Sequence, residues 1–154
     1  MPQLIEGKLD AKGFKFAIVA SRVNDLITTP MLNGAVNTLL RHNASEKNID
    51  IIRVPGSFEL PFGIKKAALT KKYNAIIAIG AIIRGQTSHF DFLASQVTKD
   101  ISHISLEMNI PVTSGIITTE TTEQAIERAG VKAGNRGSEA ALSAIEMASL
   151  VKSF

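Results

Sequence analysis

The sequence predicts one α/β domain in which a four-stranded parallel sheet is flanked by helices on both faces. Short apolar runs alternate four times along the chain with segments whose apolar residues recur at helical spacing. This alternation favours right-handed crossovers between parallel strands. Residues 74–83 are apolar almost throughout, as expected for a strand that is covered on both faces. The 154 residues, 45% of them hydrophobic, suit a single domain with a full core. No linker, internal repeat or low-complexity tract interrupts the chain, so the predicted domain spans residues 1–154.

The first half of the chain is expected to supply two strands and two helices. The apolar run at 15–20, bounded by glycine and by polar residues, predicts a buried strand. Pro30, which follows the capping residue Thr29, indicates the start of the first helix. Residues 50–54 form the second predicted strand. A helix over 57–70 follows, with its first residue, a serine, as the expected cap.

The second half continues the alternation after the strand at 74–83. A long helix is predicted over 87–108, followed by a fourth strand at about 112–117. Thr121 or Thr122 is expected to cap a short helix, and an alanine-rich helix closes the chain. Residues 1–10 fit neither pattern and are expected to be a loose segment or an edge that pairs with a neighbouring subunit. Helices on both faces of the sheet make the domain doubly wound, with flavodoxin-like layering.

Composition excludes several classes of protein and site. The chain has no cysteine, which removes disulfide frameworks, thiolate zinc sites and cysteine nucleophiles. Its formal net charge of +3 is spread along the chain without a basic arm, and it has no tryptophan, so we expect no nucleic-acid partner. No secretory signal pattern and no apolar run of membrane-spanning length is present. We therefore expect a cytoplasmic protein without a membrane partner.

Polar residues concentrate where the predicted strands end. Ligands of open α/β sheets bind beyond the carboxyl ends of the strands. The four ends carry the sequences SRVN (21–24), PGSFE (55–59), RGQTSH (84–89) and ITTE (117–120). No Walker sequence, no G-x-G-x-x-G and no nucleophile elbow occurs. The site is therefore expected at this edge of the sheet, without a known nucleotide motif.

The stretch RGQTSH has the components of an anion site. Gly85 allows a ligand to approach the backbone, and Gln86 and Thr87 supply amides and a hydroxyl at a helix start. Unpaired N–H groups and the helix dipole favour a phosphate at such a position. His89, expected in the first helical turn, suits a proton-transferring base near neutral pH. The alternative interpretation is a capped helix with an exposed histidine.

Other candidate residues have both a structural and a functional interpretation. Glu59 at a helix start is a favourable dipole partner, or in a cleft an acceptor for a polyhydroxylated ligand. Arg128 suits the end of a short helix, or binds a phosphate with two hydrogen bonds. His42 and His103 are expected to have helix-end and surface roles. Without cysteine or a paired-histidine motif, no metal site is expected.

Four motifs identify a resemblance that covers nearly the whole chain. They are VPGSFELP (54–61), GAIIRGQTSHFDF (80–92), GIITTETTEQAIERAG (115–130) and KAGNRG (132–137). In order and spacing they resemble the 6,7-dimethyl-8-ribityllumazine synthase family. The resemblance implies a transferase of riboflavin biosynthesis that joins 5-amino-6-(D-ribitylamino)uracil to 3,4-dihydroxy-2-butanone 4-phosphate, releasing phosphate and water. It also implies that no metal or organic cofactor is used.

The resemblance implies self-association. Members of the family form homopentamers with active sites between adjacent subunits, and many pack twelve pentamers into a 60-subunit icosahedral shell that can enclose riboflavin synthase. The connection at 133–137 lacks the insertion that keeps fungal members pentameric, which favours a shell. Two alternatives stay open: a non-catalytic flavin-binding or shell-forming relative, and the archaeal type of riboflavin synthase.

The resemblance also implies roles for individual residues. His89 matches the proton-transfer histidine. The residues that match substrate-binding positions are Val23, Asn24, Ser57, Phe58, Glu59, Ala81, Ile82, Ile83, Gly85, Gln86, Thr87, Ser114, Arg128 and Arg136. Within this set the loop from Gly85 to Thr87 binds phosphate, and Arg128 clamps that phosphate from the neighbouring subunit. Ser57 and Glu59 bind the ribityl chain.

Asn24 and the backbone of residues 81–83 match the positions that hold the uracil ring. Three other positions depart from the family pattern. Val23 and Ser114 stand where aromatic residues are common, and Arg136 stands where a lysine is common. Loss of an aromatic contact is expected to weaken binding by about 1 kcal/mol per ring. We expect these changes to tune binding rather than to abolish activity.

Overall fold

The computed structural model describes residues 1–85, 89–130 and 134–154. Within this part of the chain, four strands and five α-helices alternate. In chain order they are β1 (Phe16–Ser21), α1 (Asp25–Arg41), β2 (Ile49–Val54), α2 (Leu60–Leu69), β3 (Ala75–Ile83), α3 (Phe90–Met108), β4 (Val112–Thr119), α4 (Thr122–Arg128) and α5 (Arg136–Lys152). Single 3-10 turns at Glu46–Asn48 and Ser57–Glu59 precede β2 and α2. All four strands lie within two residues of the predicted bounds.

The four strands form one parallel sheet in the order β2-β1-β3-β4. From β1 the chain steps outward to β2 and then crosses back to β3 on the other side of β1. The carboxyl ends of β1 and β3 therefore meet at a topological switch point, where open α/β sheets bind ligands. Every residue of β1 and of β3 is buried, which confirms the prediction of central strands covered on both faces.

Side chains that alternate along the strands build one core on each face of the sheet. Ile77 points to the face covered by α1, α4 and α5, where it belongs to the same buried cluster as Ile145. Ile76 points to the opposite face and packs in a second cluster with Ile64 of α2 and Ile101 of α3. Burying one such side chain contributes about 1.5–3 kcal/mol. The doubly wound α/β prediction is therefore confirmed.

The helices α1 and α5 pack closely because one of them presents a glycine. A Cβ atom on Gly137 would lie 2.0 Å from the carbonyl oxygen of Met31, so only glycine fits there. Asn135 caps α5 by accepting hydrogen bonds from Gly137 N and Ser138 N, at 2.9 and 3.1 Å. Its amide also donates to the Pro30 carbonyl of α1, at 3.1 Å. These contacts hold the start of α5 against α1.

The predicted start of the first helix is wrong. The helix begins at Asp25, and Pro30 lies inside it. Asn24 adopts a left-handed conformation, with φ 61°, and its carbonyl accepts hydrogen bonds from Ile27 N and Thr28 N. A proline lacks the N–H that would bond four residues back, to the Leu26 carbonyl. Leu26 and Pro30 are both exposed, so water can hydrate that carbonyl and the helix tolerates the proline.

Two further helix starts differ from the prediction. Ser57 does not cap the second helix: Glu59 is the N-cap of α2, and the Ser57 hydroxyl instead donates to the Ala81 carbonyl of β3, at 3.3 Å. The long helix begins at Phe90, with His89 as its N-cap rather than in its first turn. Residues 86–88, which include the predicted start at residue 87, lie outside the described residues.

The short helix follows its prediction. Thr121 caps α4, accepting from Gln124 N at 3.1 Å, while the Gln124 side chain accepts from the Thr121 backbone. Residues 1–8 form no strand, although Lys8 N donates to Ser149 Oγ of α5, at 3.0 Å. The pairing of residues 1–10 with a neighbouring subunit stays a prediction. Within the described ranges, none of the helices combines the length and apolarity needed to cross a bilayer.

Candidate active site

A cleft of about 220 Å³ lies at the carboxyl ends of β1, β2 and β3. It is lined by Val23, Asn24, Gly56, Ser57, Phe58, Glu59, Ala81, Ile82, Ile83 and Leu93. Eight of these ten were predicted from sequence, and the fold brings them together from three separate chain segments. Sequence reasoning missed Gly56 and Leu93. The signal for Leu93 was its position four residues after His89, which places the two on the same side of α3.

The first wall of the cleft follows β1. Backbone bonds from Arg22 N to Val54 O and from Val23 N to Pro55 O, at 2.8 and 3.2 Å, join it to the end of β2. Asn24 makes no side-chain capping bond, so its amide is not committed to the helix that follows. Val23 is 53% exposed in this wall, where an aromatic ring would have room to stack on a ligand.

The second wall is the 3-10 turn after β2. Gly56 lies against the Glu59 side chain, because a Cβ added at Gly56 would be 3.3 Å from Glu59 Oε1, a close contact that a small shift of the carboxylate would relieve. The hydrogen bond from Ser57 Oγ to the Ala81 carbonyl ties this turn to β3. Phe58, the middle residue of the turn, is exposed. Glu59 is half-buried and presents a carboxylate, an acceptor for hydroxyl groups.

His89 lies beside the cleft. It lines a wider depression of about 490 Å³ with Phe58, Phe92 and Leu93. Phe58 and Leu93 also line the cleft, so the two cavities adjoin. Phe58 and Phe92 are 68% and 69% exposed, which leaves two aromatic rings on the surface next to the histidine. Phe92 thus faces outward from α3 rather than into the core.

The predicted phosphate loop is described only at its first residue. Gly85 is exposed and has φ +90°, a conformation that L side chains rarely adopt, and an added Cβ would meet open space. Gly85 therefore makes a turn that other residues would strain. Gln86 and Thr87 lie outside the described residues, so their predicted phosphate binding stays a prediction.

Arg128 and Arg136 line a separate depression of about 260 Å³ against the edge strand β4. Its described lining residues include none that line the cleft or the depression at His89. Ser114 is exposed on β4, and its hydroxyl accepts from Ile116 N at 3.4 Å. Of the predicted site, these three residues are therefore not brought to the cleft within one chain.

Arg84 is a site-adjacent residue to which sequence reasoning assigned no role. Its guanidinium donates to Asp91 and to Glu120, and these hydrogen bonds, with that to Asp91 as the larger cause, raise the pKa of Arg84 above its ordinary value.

The two histidines other than His89 have structural partners, as expected. His42 is the C-cap of α1, with Nδ1 2.8 Å from the Thr38 carbonyl. His103 lies 2.9 Å from Glu107 on the surface of α3.

Comparison with known proteins gives one family. Residues 13–152 match the model of the family described as 6,7-dimethyl-8-ribityllumazine synthase. Two curated relatives, both called 6,7-dimethyl-8-ribityllumazine synthase and both from Clostridium kluyveri strains, are 52% identical to the chain over 150 residues, which is 97% of each protein. The residues matched by the family model include all those that line the cleft. The chain belongs to the 6,7-dimethyl-8-ribityllumazine synthase family.

Proposed function

We propose that the protein condenses 5-amino-6-(D-ribitylamino)uracil with 3,4-dihydroxy-2-butanone 4-phosphate to 6,7-dimethyl-8-ribityllumazine, releasing phosphate and water. The observation that carries the proposal is the cleft at the switch point, with the Glu59 carboxylate in its wall and His89 beside it. The cleft by itself is smaller than the roughly 300–1,000 Å³ typical of small-molecule sites, whereas the cleft with its adjoining depression falls within that range.

The walls of the cleft suit the two parts of the uracil substrate. The backbone at residues 81–83 and the uncommitted Asn24 amide supply donors and acceptors for the uracil ring. Glu59 and Ser57, on the opposite wall, suit the hydroxyl groups of the ribityl chain. The butanone phosphate is held by the loop that begins at Gly85, as the family resemblance implies.

His89 is assigned the proton transfers. Imine formation at the 5-amino group, elimination of phosphate, tautomerisation and ring closure all move protons. General acid–base catalysis of this kind contributes about 10²–10⁴ in rate. Holding the two reactants in the right orientation contributes as well. We expect His89→Ala to lower kcat by about 10²–10⁴ without abolishing turnover, and a mutant with wild-type kcat would remove His89 from the mechanism.

Association of the chains completes the proposed site. Arg128 and Arg136 occupy a depression at β4 whose described lining residues include none of the cleft, which supports a phosphate clamp supplied by an adjacent subunit. The exposed rings of Phe58 and Phe92 beside His89 supply apolar surface for that contact. We propose a homopentamer in the cytoplasm, and further a 60-subunit shell able to enclose riboflavin synthase. Sedimentation velocity separates a pentamer from a shell.

The direct test mixes the two substrates with the purified protein and follows product fluorescence and phosphate release. Equal amounts of lumazine and phosphate are expected. Binding of riboflavin or lumazine without turnover would instead favour the non-catalytic flavin-binding or shell-forming alternative. Conversion of added lumazine to riboflavin would favour the archaeal type of riboflavin synthase. Either of these last two results would contradict the proposed condensation.

A further inference from the structure

The guanidinium of Arg84 joins three separate chain segments next to the cleft. Its Nε donates to Glu120 Oε2 at 2.6 Å, just after β4. Its Nη1 and Nη2 donate to the two oxygens of Asp91 at 3.3 and 2.9 Å, in the first turn of α3. Its Cζ lies 4.4 Å from the ring centre of Phe90. A paired guanidinium–carboxylate contact fixes direction as well as distance.

Both sides of this contact are anchored in the fold. Arg84 N donates to the Thr119 carbonyl at 2.9 Å, which extends the β3–β4 ladder by one residue. Phe90 is buried in the core between the sheet and the helices α2 and α3. The guanidinium therefore lies between a strand end and a buried ring, and it cannot follow a movement of α3 without losing one of its partners.

His89 is the residue that immediately precedes these two partners on α3. It is the N-cap of α3, and its carbonyl accepts a hydrogen bond from Leu93 N at 2.8 Å. The position of Phe90 and Asp91 thus sets the point from which the imidazole projects. A proton-transferring group has to come within hydrogen-bond reach of its substrate. A displacement of about 1 Å at such a group costs about 10²-fold in rate.

We propose that Arg84 is a positioning residue that holds the first turn of α3, and with it His89, at the carboxyl ends of β3 and β4. The inference rests on the proposed function. Within the described part of the chain, Arg84 lines neither the cleft nor the depression at His89. Its hydrogen bonds go to Asp91 and Glu120, so it acts on the reaction through the protein rather than on the substrate.

The ion pairs of Arg84 are exposed. An effect of replacing Arg84 on the start of α3 can therefore be separated from an effect on overall stability. The side chains of Arg84, Asp91 and Glu120 are 45%, 78% and 61% accessible. Exposed ion pairs contribute little to the free energy of unfolding, because water and salt screen them. Replacing Arg84 should therefore leave the fold intact and loosen only the start of α3.

The first experiment compares Arg84→Met and Arg84→Lys in the full assembled protein. Lys65→Met is the matched control: its Nζ contacts Glu107 Oε1 at 2.5 Å, an exposed pair that joins α2 to the opposite end of α3. We expect Arg84→Met to lower kcat about ten- to a hundredfold at saturating substrates. Lysine keeps the charge but not the forked geometry, so Arg84→Lys should fall between. Lys65→Met should keep wild-type kcat.

A second background shows whether Arg84 acts through His89. In a His89→Ala protein, Arg84→Met is expected to cause less than about a twofold further loss, because residues that act as one unit are not additive. The full loss in that background would overturn the inference. So would a raised KM for the butanone phosphate, or weaker binding of inorganic phosphate, with kcat unchanged, because Arg84 would then be a substrate-binding residue.

A third measurement does not depend on turnover. Hydrogen exchange at the Leu93 amide reports the bond to the His89 carbonyl. We expect exchange to be faster by about two- to fivefold in Arg84→Met and unchanged in Lys65→Met, because local opening sets this rate and exposed ion pairs oppose it only weakly. Unchanged protection in Arg84→Met would overturn the inference. Absence of lumazine formation by the wild type would contradict the proposed function, and the exchange data would still decide whether Arg84 positions α3.

Discussion

Mixed assemblies of two impaired variants offer the sharpest test of a site shared between subunits. Among the described residues, the depressions lined by His89 and by Arg128 have no residue in common, and the proposed site takes His89 from one chain and Arg128 from the next. We consider His89→Ala and Arg128→Ala, expressed separately and together. Each variant alone carries a defect at every site, and both should have low kcat/KM.

The recovery in the mixture follows from the cyclic arrangement. In a random equal mixture, a site is intact when its first subunit has His89 and the adjacent one has Arg128. Each condition holds for half of the subunits, so about one quarter of the sites should be intact. The mixed assembly, purified through two different affinity tags, should therefore regain about one quarter of the wild-type kcat per subunit.

The matched control combines His89→Ala with Glu59→Ala. Glu59 and His89 lie around adjoining cavities of one chain, joined by Phe58 and Leu93. Every site in this mixture keeps one defect, so we expect activity no greater than that of the better single variant. Equal recovery in both mixtures, or no recovery in the first mixture, would refute the division of the site between subunits.

Three further predictions concern stability and affinity. Gly137→Ala should destabilise the fold by about 1–3 kcal/mol, because the new Cβ overlaps the Met31 carbonyl; thermal unfolding checks it, and Ser143→Ala, an exposed site on the same helix, should have no such effect. Burial and then the hydrogen bond to Asp50 raise the pKa of Tyr73 from 10.0 to about 12, so its contribution to stability is present below pH 10 and is lost as the pH rises towards 12. Urea unfolding of Tyr73→Phe should show a shallower alkaline loss than the wild type, and an identical slope would contradict the assignment. Val23→Phe should tighten binding of the uracil substrate or a riboflavin analogue by about 1 kcal/mol, and calorimetry that shows unchanged affinity would count against ring stacking at this position.

Local features of the fold were predictable because burial leaves a periodic pattern. The apolar run of β3 identified a central strand, and of the two residues predicted to cap α4, Thr121 is the cap. The start of α1 was not predictable from the preference of proline for a first helical turn. Pro30 lies inside the helix, because the carbonyl that it leaves without a partner is exposed, and that exposure is known only from the folded helix. The role of Ser57 was misjudged for a related reason. Its acceptor is Ala81, twenty-four residues away along the chain.

The residues of the candidate site likewise divide into those that the sequence predicted and those that it did not. The family resemblance named eight residues that the cleft brings together. Arg84 had no predicted role because its partners, Asp91 and Glu120, are neighbours only when β3 lies next to β4. Gly56 was not predicted either, since it joins the cleft lining only when the turn after β2 packs against β3.

By itself, the sequence determined which segments are buried, which residues stand at the strand ends and which family the chain resembles. Those properties depend on the pattern of side chains along the chain, and the pattern is complete before folding. The tertiary structure decided that β1 and β3 form the switch point, that Arg84 joins β3, β4 and α3, and that Arg128 lines a different depression from His89. Those relations depend on the strand order and on contacts between distant residues, which form only when the sheet and its two layers of helices pack together.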